Sequence, residues 1–149
     1  MQTHTRQVSR RLHEEHQATL VLWTRVESSL AAGKPDAALM RSAAASLADE
    51  IERHFAFEEA QLFPRLAAAG EGDIAGLLSE EHEAIRAAGR SFIAAVKDDP
   101  SQPGLKALGL ELAERLVSHV QKEEMSMLPA LDDLLDDEAD DALAAELMS

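Results

Sequence analysis

The sequence predicts an all-α protein: an up-down antiparallel four-helix bundle with a short acidic C-terminal helix or tail. Three observations predict it. Apolar residues recur in steps of three and four, and no stretch shows the strict alternation of a half-buried strand. Clusters of helix breakers stand at three places: Gly33-Lys34-Pro35, Gly70 to Asp73, and Asp98-Asp99-Pro100 through Pro103-Gly104. Between them lie long segments rich in Ala, Leu, Glu and Arg, good helix formers, joined by connections short enough to make neighbours antiparallel.

The first segment carries its stripe as Leu12, Leu20, Trp23, Val26 and Leu30, and the second as Leu39, Leu47, Ile51, Leu62 and Leu66. The third carries Leu78, Ile85, Phe92 and Val96, and the fourth Leu105, Leu108, Leu112, Leu116, Met127 and Leu131. Asp36, Asp73 and Ser101 are the expected N-caps, since their side chains accept from free N–H groups of a first turn. The bundle is expected over residues 1–131. Residues 132–149 hold eight acidic residues and no basic one, while Leu134, Leu135, Leu143 and Leu147 keep a helical spacing. This segment reads either as a short helix packed on the bundle or a partner, or as a solvated acidic end.

Composition narrows the function. With 14 basic and 28 acidic residues among 149, the net charge is −14, which excludes a nucleic-acid partner and attraction to an anionic membrane surface. No run approaches the ~20 apolar residues of a membrane span, and Met1 to Arg11 lack the apolar core of a secretory signal. A cytoplasmic location is the expectation. The absence of cysteine removes disulfides, thiolate catalysis and iron–sulfur ligation, and the absence of tyrosine removes phenolic proton donors.

The two halves of the chain repeat one polar pattern. Glu14-Glu15-His16 in the first segment returns as Glu80-Glu81-His82 in the third, an offset of 66. His54-x-x-x-Glu58-Glu59 in the second returns as His119-x-x-x-Glu123-Glu124 in the fourth, an offset of 65, and Pro64 and Pro129 follow at that same offset. Leu47, Ile51, His54, Glu58 and Leu62 step by four, three, four and four, so the His-Glu pair lies on the inward stripe. Leu112, Leu116, His119, Glu123 and Met127 do the same, and His16 and His82 interrupt the stripes of the other two segments. Counted from the breaks, the four histidines fall within about one helical turn, roughly 6 Å, of a common height. Buried carboxylates without partners cost several kcal/mol each, so four imidazoles and two carboxylates on facing stripes call for cations between them.

Imidazole with carboxylate suits iron, manganese or zinc. Six ligands exceed what one zinc takes and divide evenly over two ions: one on His16 and His54, the other on His82 and His119, with Glu58 and Glu123 bridging. A bridging oxide or hydroxide would add a fifth ligand to each, and an octahedral metal would still have a position open to O2, NO or peroxide.

This pattern, with Leu62-Phe63-Pro64 and Leu128-Pro129 after the second and fourth motifs, resembles the hemerythrin-like (HHE cation-binding) domain family over about residues 10 to 131. The resemblance implies a four-helix bundle around a non-haem di-iron centre, with His16, His54, Glu58, His82, His119 and Glu123 as ligands and the two glutamates as bridges. Oxygen-carrying members have a fifth histidine, in a His-x-x-x-His on the third helix. Here Arg86 follows His82 by four and Leu78 precedes it by four. The four-His, two-Glu set is similar to bacterial di-iron proteins of the superfamily that serve nitrosative and oxidative stress and iron–sulfur repair; some of those carry a cysteine-bearing N-terminal segment, and none is expected here, where the 149 residues include no cysteine. A ferritin-like centre would use Glu-x-x-His instead.

Function is thus expected to be a di-iron protein that binds or reacts with small oxidants. The alternatives are a metal-stabilised module engaging a protein or a second copy through its acidic segment, a reversible O2 carrier, or a metal-free bundle with a buried polar network. Glu50, one turn before His54, reads as a ligand, an imidazole partner or a solvated flank. Glu59 and Glu124, rotated roughly 100° from the bridging glutamates, are expected at the surface. His13 reads as a partly exposed flank and His4 as a solvated terminal residue. Trp23, Phe57, Phe63, Phe92 and Met127 read as core or as walls of the metal pocket, and Pro64 and Pro129 as loosening the helices around them.

Overall fold

Helix α1 spans Gln7–Ala31, and the chain reverses at Gly33, whose φ of 84° only glycine adopts freely. In the computed structural model, which describes residues 4–149, every regular element is helical. The second rod begins as α2 (Ala37–Asp49), passes through two π-helical turns, π1 (Glu50–Phe55) and π2 (Glu58–Leu62), and ends as α3 (Phe63–Ala68). Gly70, at φ 90°, closes α3 in a Schellman arrangement, with Glu71 N–H bonding Leu66 C=O at 2.8 Å and Gly70 N–H bonding Ala67 C=O at 3.2 Å. The third rod is α4 (Gly72–Asp98). The fourth is α5 (Leu105–Lys122), the turn π3 (Glu123–Met127) and α6 (Leu128–Leu134), and α7 (Asp137–Met148) follows. None of the described helices is long and apolar enough to cross a membrane.

Of the three expected N-caps, Asp36 takes that place, accepting from Leu39 N–H at 3.1 Å. The other two expectations fail. α4 starts from Glu71, which puts Asp73 inside the first turn, where its charge favours the helix dipole without capping it. α5 starts from Gly104, and Ser101 lies in the preceding turn with its N–H held by Asp99 Oδ1 at 2.9 Å.

The π turns fall where the two halves repeat. Both π2 and π3 open on the glutamate of a His-x-x-x-Glu pair and end two residues before a proline. Pro64 and Pro129 lack the N–H that an α-helix would bond to the carbonyl four residues back, and their rings crowd that carbonyl. A π turn, closed at i+5, rotates the chain less per residue than an α turn and displaces that carbonyl.

The packed stripes form two apolar clusters. Trp23, Leu30, Met40, Leu47, Phe55, Ile85, Phe92, Leu112 and Leu116 build one. Leu12, Leu62, Leu66, Leu78, Met127, Leu128 and Leu131 build the other. Along each rod, the polar residues of the repeat lie in sequence between members of the two clusters, so the polar layer is walled by hydrocarbon on both sides.

The acidic segment resolves as a docked helix. Leu143 and Leu147 of α7 join the second cluster, and Asp140, 4% exposed, accepts from the free N–H groups of Gln7 and Val8 at 3.0 Å each. Arg6, the residue before α1, provides no side-chain cap, so an acid from α7 caps α1 across the chain. Asp140→Ala is expected to lower stability by about 2 kcal/mol, the upper range for losing a helix cap, with a smaller loss for Asp140→Asn, which keeps one acceptor. Denaturant midpoints measure this, and an unchanged midpoint in the alanine variant would show that α7 does not secure α1.

Candidate metal centre

All six residues predicted as ligands are buried, none more than 2% exposed, and they meet in one layer. α1 supplies His16 and α4 supplies His82. The second rod supplies His54 from π1 and Glu58 from π2, and the fourth supplies His119 from the end of α5 and Glu123 from π3.

Each glutamate faces both halves of the repeat. Glu58 Oε2 is 3.1 Å from His54 Nε2, and its Oε1 is 3.1 Å from His82 Nε2. Glu123 Oε1 is 2.8 Å from His16 Nε2, and its Oε2 is 3.2 Å from His119 Nε2. Two overlapping groups result, His16-His54-Glu58-Glu123 and Glu58-His82-His119-Glu123, each with its donor atoms within 4.8 Å of one another.

These donors fit cations better than they fit each other. Glu58 Oε1 and Glu123 Oε2 are buried with no hydrogen bond of workable geometry, despite the imidazole nitrogens nearby. His82 Nε2 and His119 Nε2 face each other at 3.1 Å, where one proton at most can lie between them. Orphaned buried acceptors and opposed nitrogens are the geometry of lone pairs aimed at a shared ion.

A second layer of glutamates holds the outer nitrogen of every imidazole. His16 Nδ1 donates to Glu124 at 2.6 Å, His54 Nδ1 to Glu15 at 3.0 Å, His82 Nδ1 to Glu59 at 2.7 Å, and His119 Nδ1 to Glu81 at 2.8 Å. A carboxylate only accepts, so each Nδ1 carries a proton and each Nε2 turns inward. Three of the four are in turn held by fixed cations: Glu15 by Arg53 at 2.9 Å, Glu59 by Arg86 at 2.7 Å, and Glu81 by Lys122. The expectation that Glu59 and Glu124 sit at the surface holds only in part: their side chains are 30% and 16% exposed, but each is also bonded inward to an imidazole. Each reaches across to an imidazole of a neighbouring rod, Glu59 to His82 and Glu124 to His16, as Glu15 and Glu81 do from α1 and α4 to His54 and His119. The signal was present in the sequence, because Glu15/Glu81 and Glu59/Glu124 repeat with the same offsets as the histidines.

Electrostatics follow from the geometry. Burial alone would lower the pKa of His16, but hydrogen bonds to Glu123 and Glu124 overturn this and raise it to about 9. His119 is raised to about 10 in the same way, burial being outweighed by Glu123 and Glu81, and His54 is raised well above its ordinary value by Glu58 and Glu15. Burial pushes Glu15 up, yet the bonds from His54 and Arg53 hold it at about 2. Glu123 lies well below the usual carboxylate range, because the charges and bonds of His119 and His16 outweigh its burial. Without metal, protons occupy the positions cations would take.

Other residues fall differently from their reading. Glu50 is half-buried, with Thr19 Oγ1 donating to it at 3.5 Å and His54 Nδ1 3.9 Å away, and burial raises its pKa. Trp23 is core, tilted on Phe92 at 5.5 Å. Phe55, which sequence reasoning passed over, lies flat on His82 at 3.8 Å, and Phe63 packs beside the same ring at 5.1 Å. His4 is not solvated: it is 6% exposed, packed against His13 at 5.1 Å.

Helical rods that carry facing His-x-x-x-Glu pairs into a buried layer define an all-helical cation-binding protein. The chain belongs to the hemerythrin family: the model of the hemerythrin HHE cation binding domain matches residues 7–145. No curated protein and no solved structure gives a significant match to it.

Proposed function

We propose that this protein is a non-haem di-iron protein that binds or reacts with small oxidants such as O2, peroxide or NO, in sensing, scavenging or iron handling. His16, His54, His82 and His119 would be terminal ligands and Glu58 and Glu123 the bridges, on four rods running up and down; manganese or zinc suits the same donors. The observation that carries this reading is that each buried glutamate directs one oxygen to each half of the repeat.

An iron pair bound there would supply reversible electron transfer and coordination of small ligands. The chain's residues do the rest. Glu15, Glu59, Glu81 and Glu124 fix the tautomer and ring orientation of the imidazoles and raise their basicity. Phe55 and Phe63 shield His82 from water. Arg86, at the position of the fifth histidine in oxygen carriers, pairs with Glu59 and Glu83 and has its guanidinium 5.7 Å from the centre of the Phe55 ring. With that residue committed to carboxylates, a ligand position stays free, which favours reaction with oxidants over simple oxygen carriage. The acidic C-terminal helix places Asp140 on α1 of its own chain, so we assign it a structural role rather than a docking role.

The test is metal content with optical spectra. Protein loaded anaerobically with ferrous iron is expected to hold two iron atoms per chain, and to gain near-ultraviolet absorption of a ferric pair on exposure to O2 or peroxide. It is also expected to change spectrum with NO. A chain that takes up no iron sinks the proposal. One that takes up metal but is spectrally inert to all three oxidants is a metal-stabilised module instead.

A further inference from the structure

A third group of imidazole and carboxylate lies outside the central layer. His4, His13 and Glu124 bring one donor atom each to within 4.8 Å of one another. His13 Nδ1 is 2.5 Å from Glu124 Oε1, and His4 Nε2 is 3.7 Å from the same oxygen. The His4 ring is buried, and its Nε2 has no hydrogen-bond partner. An imidazole nitrogen withdrawn from water and left unpaired costs about 1–3 kcal/mol, so its retention needs a reason. On the far side of the ring, Asp132 stands 3.6 Å from His4 Nδ1 and is itself held by the N–H of Arg6 at 3.0 Å. This is the arrangement of the central imidazoles: one nitrogen toward a carboxylate, the other aimed into a cluster of donors.

The pseudo-symmetry of the outer carboxylates points the same way. Glu15, Glu59 and Glu81 are each paired with an arginine or lysine. Glu124, the repeat-mate of Glu59, faces His13 and His4 where Glu59 faces Arg86. Where the other three carboxylates have a fixed cation, the fourth has two metal-ligating side chains.

We propose that His4, His13 and Glu124 form a mononuclear site for a divalent transition cation of the zinc type. Two imidazoles, a carboxylate and one solvent position make a four-coordinate set that zinc favours. His13, 39% exposed, gives the ion its route to solvent. Glu124 would then join two sites, since its Oε2 accepts from His16 Nδ1 at 2.6 Å while its Oε1 faces the outer cluster.

Zinc chloride titrated into the iron-loaded full chain, with both metals counted after equilibrium dialysis, tests this. One zinc per chain is expected beyond the iron, with the iron undisturbed. His4→Ala and His13→Ala are each expected to lose that zinc while keeping the iron and the helical circular dichroism. Because His13 is partly exposed, its truncation leaves the fold intact even where His4→Ala does not. A wild-type chain that stops at its iron overturns the proposal, and so does an additional zinc that survives both substitutions. Should the central reading fail and a single zinc bind to iron-free protein, loss in His13→Ala but not in His54→Ala assigns it to the outer cluster. The reverse pattern overturns the outer site.

Discussion

Glu58→Ala is expected to deprive the proposed di-iron centre of both its ions, not one. Its two oxygens stand 3.1 Å from imidazoles of opposite halves, His54 and His82, so its removal takes a ligand from each cation. Iron content is expected to fall from two atoms per chain to near none. Removal of an outer carboxylate in Glu59→Ala is expected to weaken binding only about 10- to 100-fold, the usual effect of losing a partner behind a ligand. The metal-free chain suffers as well. His54 holds its proton through Glu58 and Glu15, and truncating Glu58 leaves a buried cation with one partner fewer. Breaking such a pair destabilises by roughly 3–5 kcal/mol. Glu58→Gln keeps the volume and one acceptor, so it separates lost charge from lost packing. Elemental analysis and denaturant unfolding of the three variants together give the answer. Two tightly held iron atoms in Glu58→Ala would rule out Glu58 as the bridge.

Much of this centre was legible in the sequence, because a buried polar residue interrupting a helical stripe is visible without coordinates. His16, His54, Glu58, His82, His119 and Glu123 each occupy a position the apolar period assigns to the interior, and the layer collects all six. The outer carboxylates were written in the same repeat but were misplaced, since each turns from its own rod's inward stripe toward an imidazole of the neighbouring rod, a pairing that one helix's period does not report. His4 was misread for a different reason. Its burial depends on Glu124 and Asp132, more than a hundred positions away, and no local period reports on that. The cap of α1 is hidden in the same way, in Asp140 of α7.

The metal-free protein is expected to lose stability as pH rises from neutrality toward 10, and the metal-loaded protein is not. His16 titrates near 6.5 in an unfolded chain and at about 9 when folded without metal. A group with a raised folded pKa contributes its stability in full below the unfolded value and loses it as pH climbs through the folded one. For His16 the loss therefore runs from about 6.5 to about 9, and for His119 it runs on to about 10. A shift of this size corresponds to on the order of 3 kcal/mol for His16. The contributions do not simply add, because both imidazoles lean on Glu123. The acid limb has the opposite sign. Glu15, held at about 2, contributes above its unfolded value and loses that contribution only as pH falls toward 2, so the metal-free chain is most stable in the mildly acidic range. Cations bound as proposed would replace the inner protons, so loading is expected to remove the alkaline loss and to release protons from His16, His54 and His119. Unfolding midpoints of chelated and loaded protein from pH 5 to 10 measure both curves. Parallel curves would mean that the imidazoles titrate as they would in water, and that the carboxylates around them do not hold their protons.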